Sequence, residues 1–574
     1  GWESPHRWRD GCALMGGRAA AASVRPGEAT HRWAAAGYRV QSRPVMRRCC
    51  AQGGCVAGRG PLAAHRCRWP RTVAADRAPW AVGRGRRLWP VDRGLVIKKV
   101  QRPPLCWHQR HVQKRRGGGL PRDSRKEANV KLQAQDRRVE RFLARHLNAP
   151  PWQWGEISDP RGRRGRRWEL TELLNATLVG MVTACATLRD VERLTDELGP
   201  VGRQYVRQRV PDSTLWDLFA GRRRPPPNAD AALADAAQPT TDRSLDPQQF
   251  RRQLRLQVRA MWRAKALQPQ QLPCGVLSID GKGLGKLEHD AQGQAQKSHH
   301  HDGTPYWLAR VLRASLVSAA SKPVVDQLPI GARTNEMGSF GAFFDALVDA
   351  YDPLFEIITV DAGMVSKANA DRVHAADKGY VMALKDNQPE LLREAKRLLA
   401  PRHRGKPVAT STERYRGRIV QRRLYRCGDI TQFHRWTHLK QVWLVEQSSC
   451  DAHGKTQTEQ RFFLTNLHPG RLTHAQVLAV VRLHWGIEND VFWSLDMQWR
   501  EDSVPWCSSG HAVEVLSLIR LMAYNLVQLA RKRSLRPRAD PHKRVPIPPW
   551  RNVLRWMRDA LRLELQPRFG TAVT

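Results

Sequence analysis

VLSIDGKG, residues 276–283, is the segment that decides the fold predicted from this sequence. Its apolar run ends at Asp280 and glycine follows at once, as expected where a short buried strand meets a turn. FEIITVDAG, residues 355–363, repeats the pattern and places Asp361 after a second apolar run. Glycine near each aspartate lets backbone or substrate approach closely. The two segments therefore predict two strands that end in carboxylates.

Carboxylates at the tips of adjacent strands repel each other unless a positive charge lies between them. A divalent metal ion is the usual solution, and Mg²⁺ is bound by one or two carboxylates together with substrate phosphate oxygens. A third carboxylate from a helix would complete a site for two ions about 4 Å apart, which activates water and stabilises the leaving oxygen in phosphodiester cleavage. Singly, an aspartate after a strand is more often a turn former, and a lone glutamate on a helix is usually solvated.

Glu488, in LHWGIENDVFW (483–493), is the candidate for the third carboxylate. It lies on the half-buried face of a predicted helix, and no lysine or arginine is found three or four residues away. The helix begins at the capping-box pattern from Thr473 to Gln476 and runs towards Trp499. An acidic residue beside an apolar face, without a local ion-pair partner, is a candidate metal ligand.

The segments around the two aspartates predict a mixed sheet. The order is three strands, helix, strand, helix, strand, helix, and one of the helices has Ser366 as its candidate N-cap. This alternation is typical of an α/β fold in which helices cover the parallel part of the sheet. Three more β-rich segments follow at 413–427, 440–448 and 460–467.

The composition predicts a polyanionic partner. The chain has 574 residues, a formal net charge of +43 and a pI of about 11.0, which favours nucleic acid through phosphate neutralisation and counterion release. No unbroken apolar run of about 18 residues is present, and the closest, at 173–188, is typical of a buried helix. No secretion signal is recognised, and the eleven cysteines indicate reduced cytosolic thiols rather than a zinc site among Cys49, Cys50, Cys55 and Cys67.

Five strings occur in an order and spacing that resemble the DDE transposases of insertion sequences. They are SIDGKG, TNEMGSF, TVDAG, ALKDNQPEL and RLHWGIENDVFWSLDMQWREDS, and the most similar branch is the ISAs-type or H-repeat-associated one. The resemblance covers roughly 165–530. It implies an α/β fold with an RNase H-like mixed-sheet catalytic core and a β-rich insertion. The acidic triad of the family falls on Asp280, Asp361 and Glu488.

The resemblance implies a metal-dependent reaction on DNA. Two Mg²⁺ ions, or Mn²⁺ in their place, would be bound by the three carboxylates. Water attack at a transposon end would free a 3′-hydroxyl, which then attacks target DNA in line without a covalent enzyme–DNA intermediate. The implied partners are double-stranded DNA, at both the transposon ends and the target, and a second copy of the chain in a homodimer, with no membrane. The implied location is the bacterial cytoplasm, at the nucleoid.

The chain divides into seven predicted segments. They are a basic, low-complexity, disordered region at 1–125, a small all-α domain at 126–222, a linker with one helix at 223–270, the first part of the RNase H-like core at 271–400, a β-rich insertion at 401–470, the carboxyl-terminal core helices at 471–533 and a basic tail at 534–574. The all-α domain is compatible with helix-turn-helix DNA recognition and equally with a platform that packs on the next domain.

The segment around Glu488 departs from the wider family pattern. Relatives carry Tyr, Arg and Lys, used on flanking DNA, at places that are Val481, His484 and Leu495 here, so the resemblance does not imply a hairpin intermediate that depends on those contacts. Each candidate DNA contact has a solvated surface role as its alternative. These candidates are Lys282, Lys385, Asn387, Arg482 and His484.

Two other polar groups have competing interpretations. Glu501 and Asp502 either support the site or cap the following turn, and the second interpretation is favoured. The run from His299 to Asp302 resembles a metal cluster, but its position in a polar segment between two strands favours a mobile loop.

Two rival functions remain open at this point. An RNase H-like nuclease that cuts without joining would keep the three carboxylates but should lack a sizeable β insertion. A basic DNA-binding protein derived from a decayed transposase would keep the charge and lose catalysis.

Overall fold

The computed structural model describes residues 135–562 with short gaps. The gaps are at 163–165, 222–243, 288–294, 416, 431–432, 434–435, 452, 504–505, 508–510 and 536–545. The predicted disordered region at 1–125, its cysteine cluster and the Pro-rich part of the linker lie outside the described residues.

Ten strands of the described chain form one mixed sheet. They are β1 (Val276–Leu287), β2 (Ala295–His299), β3 (Pro305–Leu316), β4 (Val324–Pro329), β5 (Ile357–Val360), β6 (Gly379–Leu384), β7 (Ala409–Tyr415), β8 (Arg418–Cys427), β9 (Gln441–Cys450) and β10 (Thr456–Thr465). The order is β2-β3-β1-β5-β6-β10-β9-β8-β7, and β4 also pairs with β3. The β1–β5 and β5–β6 pairs are parallel, and the others are antiparallel. The predicted mixed α/β sheet is confirmed.

Helices before, between and after the strands cover this sheet. They are α1 (Leu170–Val182), α2 (Leu188–Asp196), α3 (Pro200–Arg203), α4 (Asp212–Ala220), α5 (Pro247–Arg263), α6 (Glu336–Tyr351), α7 (Lys367–Ala375), α8 (Pro389–Leu398), α9 (His474–His484), α10 (Trp493–Trp499), α11 (Ala512–Leu529) and α12 (Trp550–Arg562). The predicted caps form: the Ser366 hydroxyl accepts from the Asn369 N–H, and Thr473 and Gln476 make a reciprocal capping box.

Two strand predictions are wrong in their extent. β1 does not end at Asp280, because its antiparallel pairing with β3 continues to Leu287 after the parallel pairing with β5 has stopped at Ile279. The segment 413–427 contributes to two strands, β7 and β8, which are joined by a turn in which Gly417 has a φ of 78°. In both places the partner strand decides the extent, and a local pattern does not contain that information.

The β-rich segment continues the core sheet. β10 pairs with β6, from Phe462 opposite Leu384 to Thr465 opposite Val381, and β9, β8 and β7 follow outwards. Trp443 of β9 is 1% exposed, so the extension shares the main hydrophobic core. The sheet therefore reaches far beyond the strands that carry the two aspartates.

The amino-terminal helices pack on the core as a platform. The Gln257 side chain of α5 donates to the Met522 carbonyl of α11 at 3.0 Å, and the Trp499 indole donates to the Met181 carbonyl of α1 at 2.6 Å. In the described residues, Ala512–Ser534 is long and apolar enough to cross a membrane, but its most apolar window is entirely buried inside the protein. Its hydrophobic surface is thus used for packing between α1, α5 and β4.

A buried ion pair connects β3 to the chain after α10. Arg313 lies opposite Asp280 in the β1–β3 ladder, and its guanidinium donates to both carboxylate oxygens of Glu501 at 2.5 and 2.8 Å. Both side chains are fully buried, and Arg520 adds a bond of 3.2 Å. These ion pairs hold the pKa of Glu501 down, at about 2, against the effect of burial. The predicted turn-capping role of Glu501 is therefore wrong: it joins three elements of the core.

Glu501→Ala is expected to lower the free energy of unfolding by about 3–5 kcal/mol, because it leaves the Arg313 guanidinium buried without its partner. Urea unfolding followed by circular dichroism measures the change. Glu394→Ala removes a glutamate from an exposed pair with Arg397 on α8 and should cost less than about 1 kcal/mol. If both variants lowered the free energy of unfolding equally, the buried pair would stabilise the protein no more than the exposed pair does.

Candidate active site

Strand register brings Asp280 and Asp361 together. The parallel ladder pairs Ile279 of β1 with Val360 of β5, and each aspartate is the next residue along its strand. Because successive residues of two parallel strands advance together, the two aspartates lie side by side at the same end of the ladder. Asp361 then begins the 3₁₀ turn Ala362–Met364.

Glu488 reaches this edge from a widened helical turn. The chain from α9 to α10 passes through a π-helical segment, Ile487–Phe492, rather than a continuous α-helix. Ile487, Val491 and Phe492 are buried, whereas Glu488 is exposed. Glu488 and Asp361 line one cavity, so its carboxylate faces the end of β5. π-Helical turns are rare and occur frequently at functional sites.

His484 connects the three segments that carry these acids. Its Nδ1 lies 3.3 Å from the Ser278 hydroxyl and 3.2 Å from the Thr359 hydroxyl, and the Ser278 hydroxyl also donates to the His484 carbonyl at 3.2 Å. Ser278 and Thr359 each precede a site aspartate by two residues. His484 is 3% exposed, and burial lowers its pKa to about 4, so the ring is neutral at pH 7. The prediction that His484 contacts DNA is wrong in this structure, because the side chain is enclosed by the core.

Burial and neighbouring acids raise the pKa of Asp280 and of Glu488. Burial raises the pKa of Asp280 to about 7, and the charges of Glu488 and Asp361 add to the effect, while the Gly281 N–H bond at 2.8 Å opposes it. Burial and the charge of Asp361 raise the pKa of Glu488 as well, although part of that side chain is exposed. Strand register sets Asp280 beside Asp361, and Asp361 and Glu488 line one cavity. A divalent cation would relieve the repulsion.

Lys385 is the candidate DNA contact that lies in this region. It follows β6, and its Nζ is 3.4 Å from each carboxylate oxygen of Asp361. Its side chain is 64% exposed, so it can reach other groups in the cleft. Lys385 and Arg461 both lower the pKa of Glu488, in opposition to the effect of Asp361. The cleft therefore contains cations beside its acids.

The other candidate contacts have partners within the protein. Lys282 donates to Asp496 at 2.6 Å, and its side chain is 11% exposed. Asn387 donates to the carbonyls of Ala362 and Val365, at 2.6 and 3.2 Å, and so holds the turn after Asp361. Arg482 forms an ion pair with Glu413 of β7 and remains partly exposed. Asn387 therefore stabilises the turn that follows Asp361. Arg482 lines the same cavity as Glu488.

Two of the positions that depart from the family pattern are core positions. Val481 is 1% exposed and Leu495 is fully buried. Neither side chain is available to DNA in this structure. In the polar run that begins at His299, His299 is the last residue of β2, and residues 300–302 lie in the turn between β2 and β3.

The donor chemistry at the cleft suits a divalent cation, but the side chains are not arranged around one. Carboxylate oxygens are the ligands that Mg²⁺ prefers. Within the part of the chain that the structure describes, no group of three or more His, Cys, Asp or Glu side chains has the arrangement needed to hold a metal ion. Asp280, Asp361 and Glu488 would therefore have to turn towards a cation in order to bind it together.

A fourth acid, Glu336, lies near Asp280 and was not among the site residues predicted from the sequence. Glu336, the first residue of α6, contributes to the raised pKa of Asp280, together with burial and Glu488. It belongs to TNEMGSF, one of the strings that carry the family resemblance, but no local pattern relates it to Asp280. The family resemblance marked this string as a candidate. Only the fold shows that its glutamate lies near Asp280.

Asp280→Asn is expected to stabilise the metal-free protein at pH 8 by on the order of 2 kcal/mol. A carboxyl whose pKa is raised in the folded state lowers stability as pH rises from about 4 to 7, and the amide removes that cost. Urea unfolding in EDTA at pH 8 and pH 4 measures the difference, which should vanish at pH 4. Asp345→Asn, at an exposed ion pair on α6, is the control with no expected pH dependence. A less stable Asp280→Asn variant at pH 8 would contradict the electrostatic account.

Comparison with known proteins identifies the domain that contains this site. Residues 274–526 match the transposase DDE domain family, whose members generally use divalent metal ions. The putative protein YbfL of Escherichia coli K12 is 26% identical over 262 residues, which cover 44% of this chain and 64% of the relative. The H repeat-associated putative transposase YhhI of the same strain is 26% identical over 265 residues, with the same coverage.

A third relative has a similar extent. The putative transposase YncI of Escherichia coli O157:H7 is 26% identical over 228 residues, which are 37% of this chain and 56% of the relative. The chain thus spans less than two thirds of the length of these curated relatives. Residues 274–526, which carry the strands and helices of the acidic cleft, are thus similar to transposase DDE domains, and the relatives of this part of the chain include an H repeat-associated putative transposase.

Proposed function

We propose that this chain is a transposase that cleaves DNA at the ends of an insertion sequence and joins those ends to target DNA. The observation that carries the proposal is the strand register that sets Asp280 beside Asp361, at the cavity that Asp361 shares with Glu488, within residues that match a transposase DDE domain. The three acids are the proposed metal ligands. Two Mg²⁺ ions, with Mn²⁺ as a substitute, are the proposed cofactors.

Each residue of the cleft has a distinct part in the proposed reaction. Metal ions held by the three carboxylates would supply the charge that activates water and stabilises the leaving oxygen. Asn387 keeps the turn after Asp361 in place through its two carbonyl contacts. Lys385, exposed beside Asp361, is suited to bind a phosphate oxygen of the cleaved strand.

The bond changes balance in two steps. In the first, water oxygen bonds to the phosphorus at the transposon end, and the 3′-oxygen leaves with a proton as a hydroxyl. In the second, the oxygen of that hydroxyl loses its proton and bonds to a phosphorus of the target, and a target 3′-oxygen leaves and takes up a proton. A nucleophilic serine or tyrosine is not required, because no covalent bond to the protein forms.

The surface beside the cleft supports DNA as the substrate. Four basic residues line the cavity that adjoins Glu488 on the side of β7 and β8: Lys322, Arg422, Arg461 and Arg482. The Arg461 guanidinium lies 4.1 Å from the centre of the Trp485 ring, which keeps it over the cavity. Phosphate contacts from such groups give affinity that falls with added salt.

Several features of the proposed assembly follow from the reaction. Cleavage at two ends requires two active sites, so a homodimer with transposon-end and target DNA is the proposed complex, with no membrane involved. The proposed location is the bacterial cytoplasm, at the nucleoid. The β-sheet extension from β7 to β10 favours a transposase over an RNase H-like nuclease that cuts without joining, since such a nuclease should lack it. The intact triad favours activity over a decayed DNA-binding protein.

Asp361→Ala is expected to abolish both Mg²⁺-dependent nicking and strand transfer on DNA that carries the ends of the element, because a metal ligand is lost. Binding of the same DNA, measured by gel shift, should remain within about threefold, since phosphate contacts from basic residues provide most of the affinity. Asp345→Ala removes an exposed aspartate on α6 and should leave both activities intact.

The wild-type assay also separates the rival functions. Cutting without strand transfer by the wild type would favour the nuclease, and no cutting at all would favour the decayed protein. Retained cutting by Asp361→Ala would overturn the assignment of the metal site.

A further inference from the structure

Glu336 lies between the two turns that follow the site aspartates. A Cβ atom added to Gly281 would overlap the Glu336 carboxylate at Oε1, and one added to Gly363 would stand 3.6 Å from Oε2. Gly281 follows Asp280 directly, and Gly363 comes two residues after Asp361. One oxygen of the Glu336 carboxylate therefore faces the backbone just after Asp280, and the other faces the backbone just after Asp361.

The Glu336 carboxylate is held in this position by two elements. Arg310 of β3 donates from Nη2 to Oε1 at 2.8 Å, and Arg310 pairs with Gly283 in the β1–β3 ladder. Glu336 is also the first residue of α6, whose N-cap Asn335 accepts from the Gly338 N–H at 2.9 Å. The side chain of Glu336 is 29% exposed, so its charge is only partly screened by solvent.

The usual structural explanation accounts for only part of this arrangement. An acidic residue in the first turn of a helix is stabilised by the helix dipole, and an arginine partner is common at a surface. Neither effect requires the carboxylate to lie between the turns that follow Asp280 and Asp361, where it would overlap a Cβ atom added to Gly281.

We propose that Glu336 is a positioning residue of the active site, which fixes the two aspartate turns and adds the negative charge that strengthens binding of the divalent cation. The inference rests on the proposed function, since it concerns the same metal site. Glu336 acts through Asp280 and Asp361 and through the field of its charge. Gly281 leaves room for the Glu336 carboxylate, which would have to move if a side chain stood at that position.

Glu336→Gln separates the charge from the shape. The amide oxygen can still accept from Arg310, while the negative charge is lost. Mn²⁺ binding to the full chain without DNA, measured by calorimetry and by electron paramagnetic resonance of free Mn²⁺, is expected to weaken by about 10- to 100-fold, the usual effect of changing a residue that orients metal ligands. A purely structural role for Glu336 predicts unchanged Mn²⁺ affinity.

Glu356→Gln is the matched control. Glu356 is also paired with an arginine, Arg471, but lies at the opposite end of β5 from Asp361. This variant loses the same charge and should keep the Mn²⁺ affinity of the wild type. Asp280→Asn, in which a proposed ligand is changed, should bind Mn²⁺ more weakly than the wild type.

The outcomes distinguish this inference from the proposed function. If Asp280→Asn weakens Mn²⁺ binding and Glu336→Gln does not, the role of Glu336 is overturned and the metal site stands. If Asp280→Asn binds Mn²⁺ as tightly as the wild type does, the proposed metal site is wrong. The proposed role of Glu336, which depends on that site, is then wrong as well. Should Glu336→Gln fail to fold, Glu336→Asp keeps the charge: affinity within a few fold of the wild type supports the role of the charge, and loss as large as that of Asp280→Asn contradicts it.

Discussion

The buried ion pair between Arg313 and Glu501 fastens the chain after Glu488 to the strand opposite Asp280. Two charges removed from water are costly unless their geometry is complete, and here both carboxylate oxygens of Glu501 are occupied. On the other side of Glu488, His484 is hydrogen-bonded to both parallel strands of the site. The segment that carries Glu488 is thus fixed at both ends. This double attachment holds Glu488 at the cavity that Asp361 also lines, beside the strand that carries Asp280.

The same arrangement leaves the cleft short of positive charge. Burial raises the pKa of Asp280 to about 7, and the charges of neighbouring acids, Glu488 first among them, add to the effect. Lys385 and Arg461 moderate the charge near Asp361 and Glu488, but they lie at the solvent side of the site. Under the proposed function, a divalent cation supplies the missing charge and phosphate oxygens of DNA complete its coordination. Protons would be released as the carboxylates bind it.

Local sequence pattern was sufficient for the strands that carry the site. The apolar runs before Asp280 and Asp361 each became a buried strand, and the order of elements gave the mixed sheet. It did not predict that the β-rich segment shares this sheet, or that His484 is a core residue. Those features depend on pairs distant in the chain, such as Arg313 and Glu501, which are 188 residues apart. The family strings located the acids, whereas their partners became visible only when the fold brought the strings together.

The most direct test of the account is a crystal structure of the chain grown with Mn²⁺ and an end-bearing DNA duplex, with anomalous scattering used to locate the metal. If the three carboxylates bind the metal ions, anomalous peaks are expected between Asp280, Asp361 and Glu488, next to a phosphate of the DNA. Peaks elsewhere, or a DNA-bound structure in which any of the three carboxylates faces away from the metal, would contradict it.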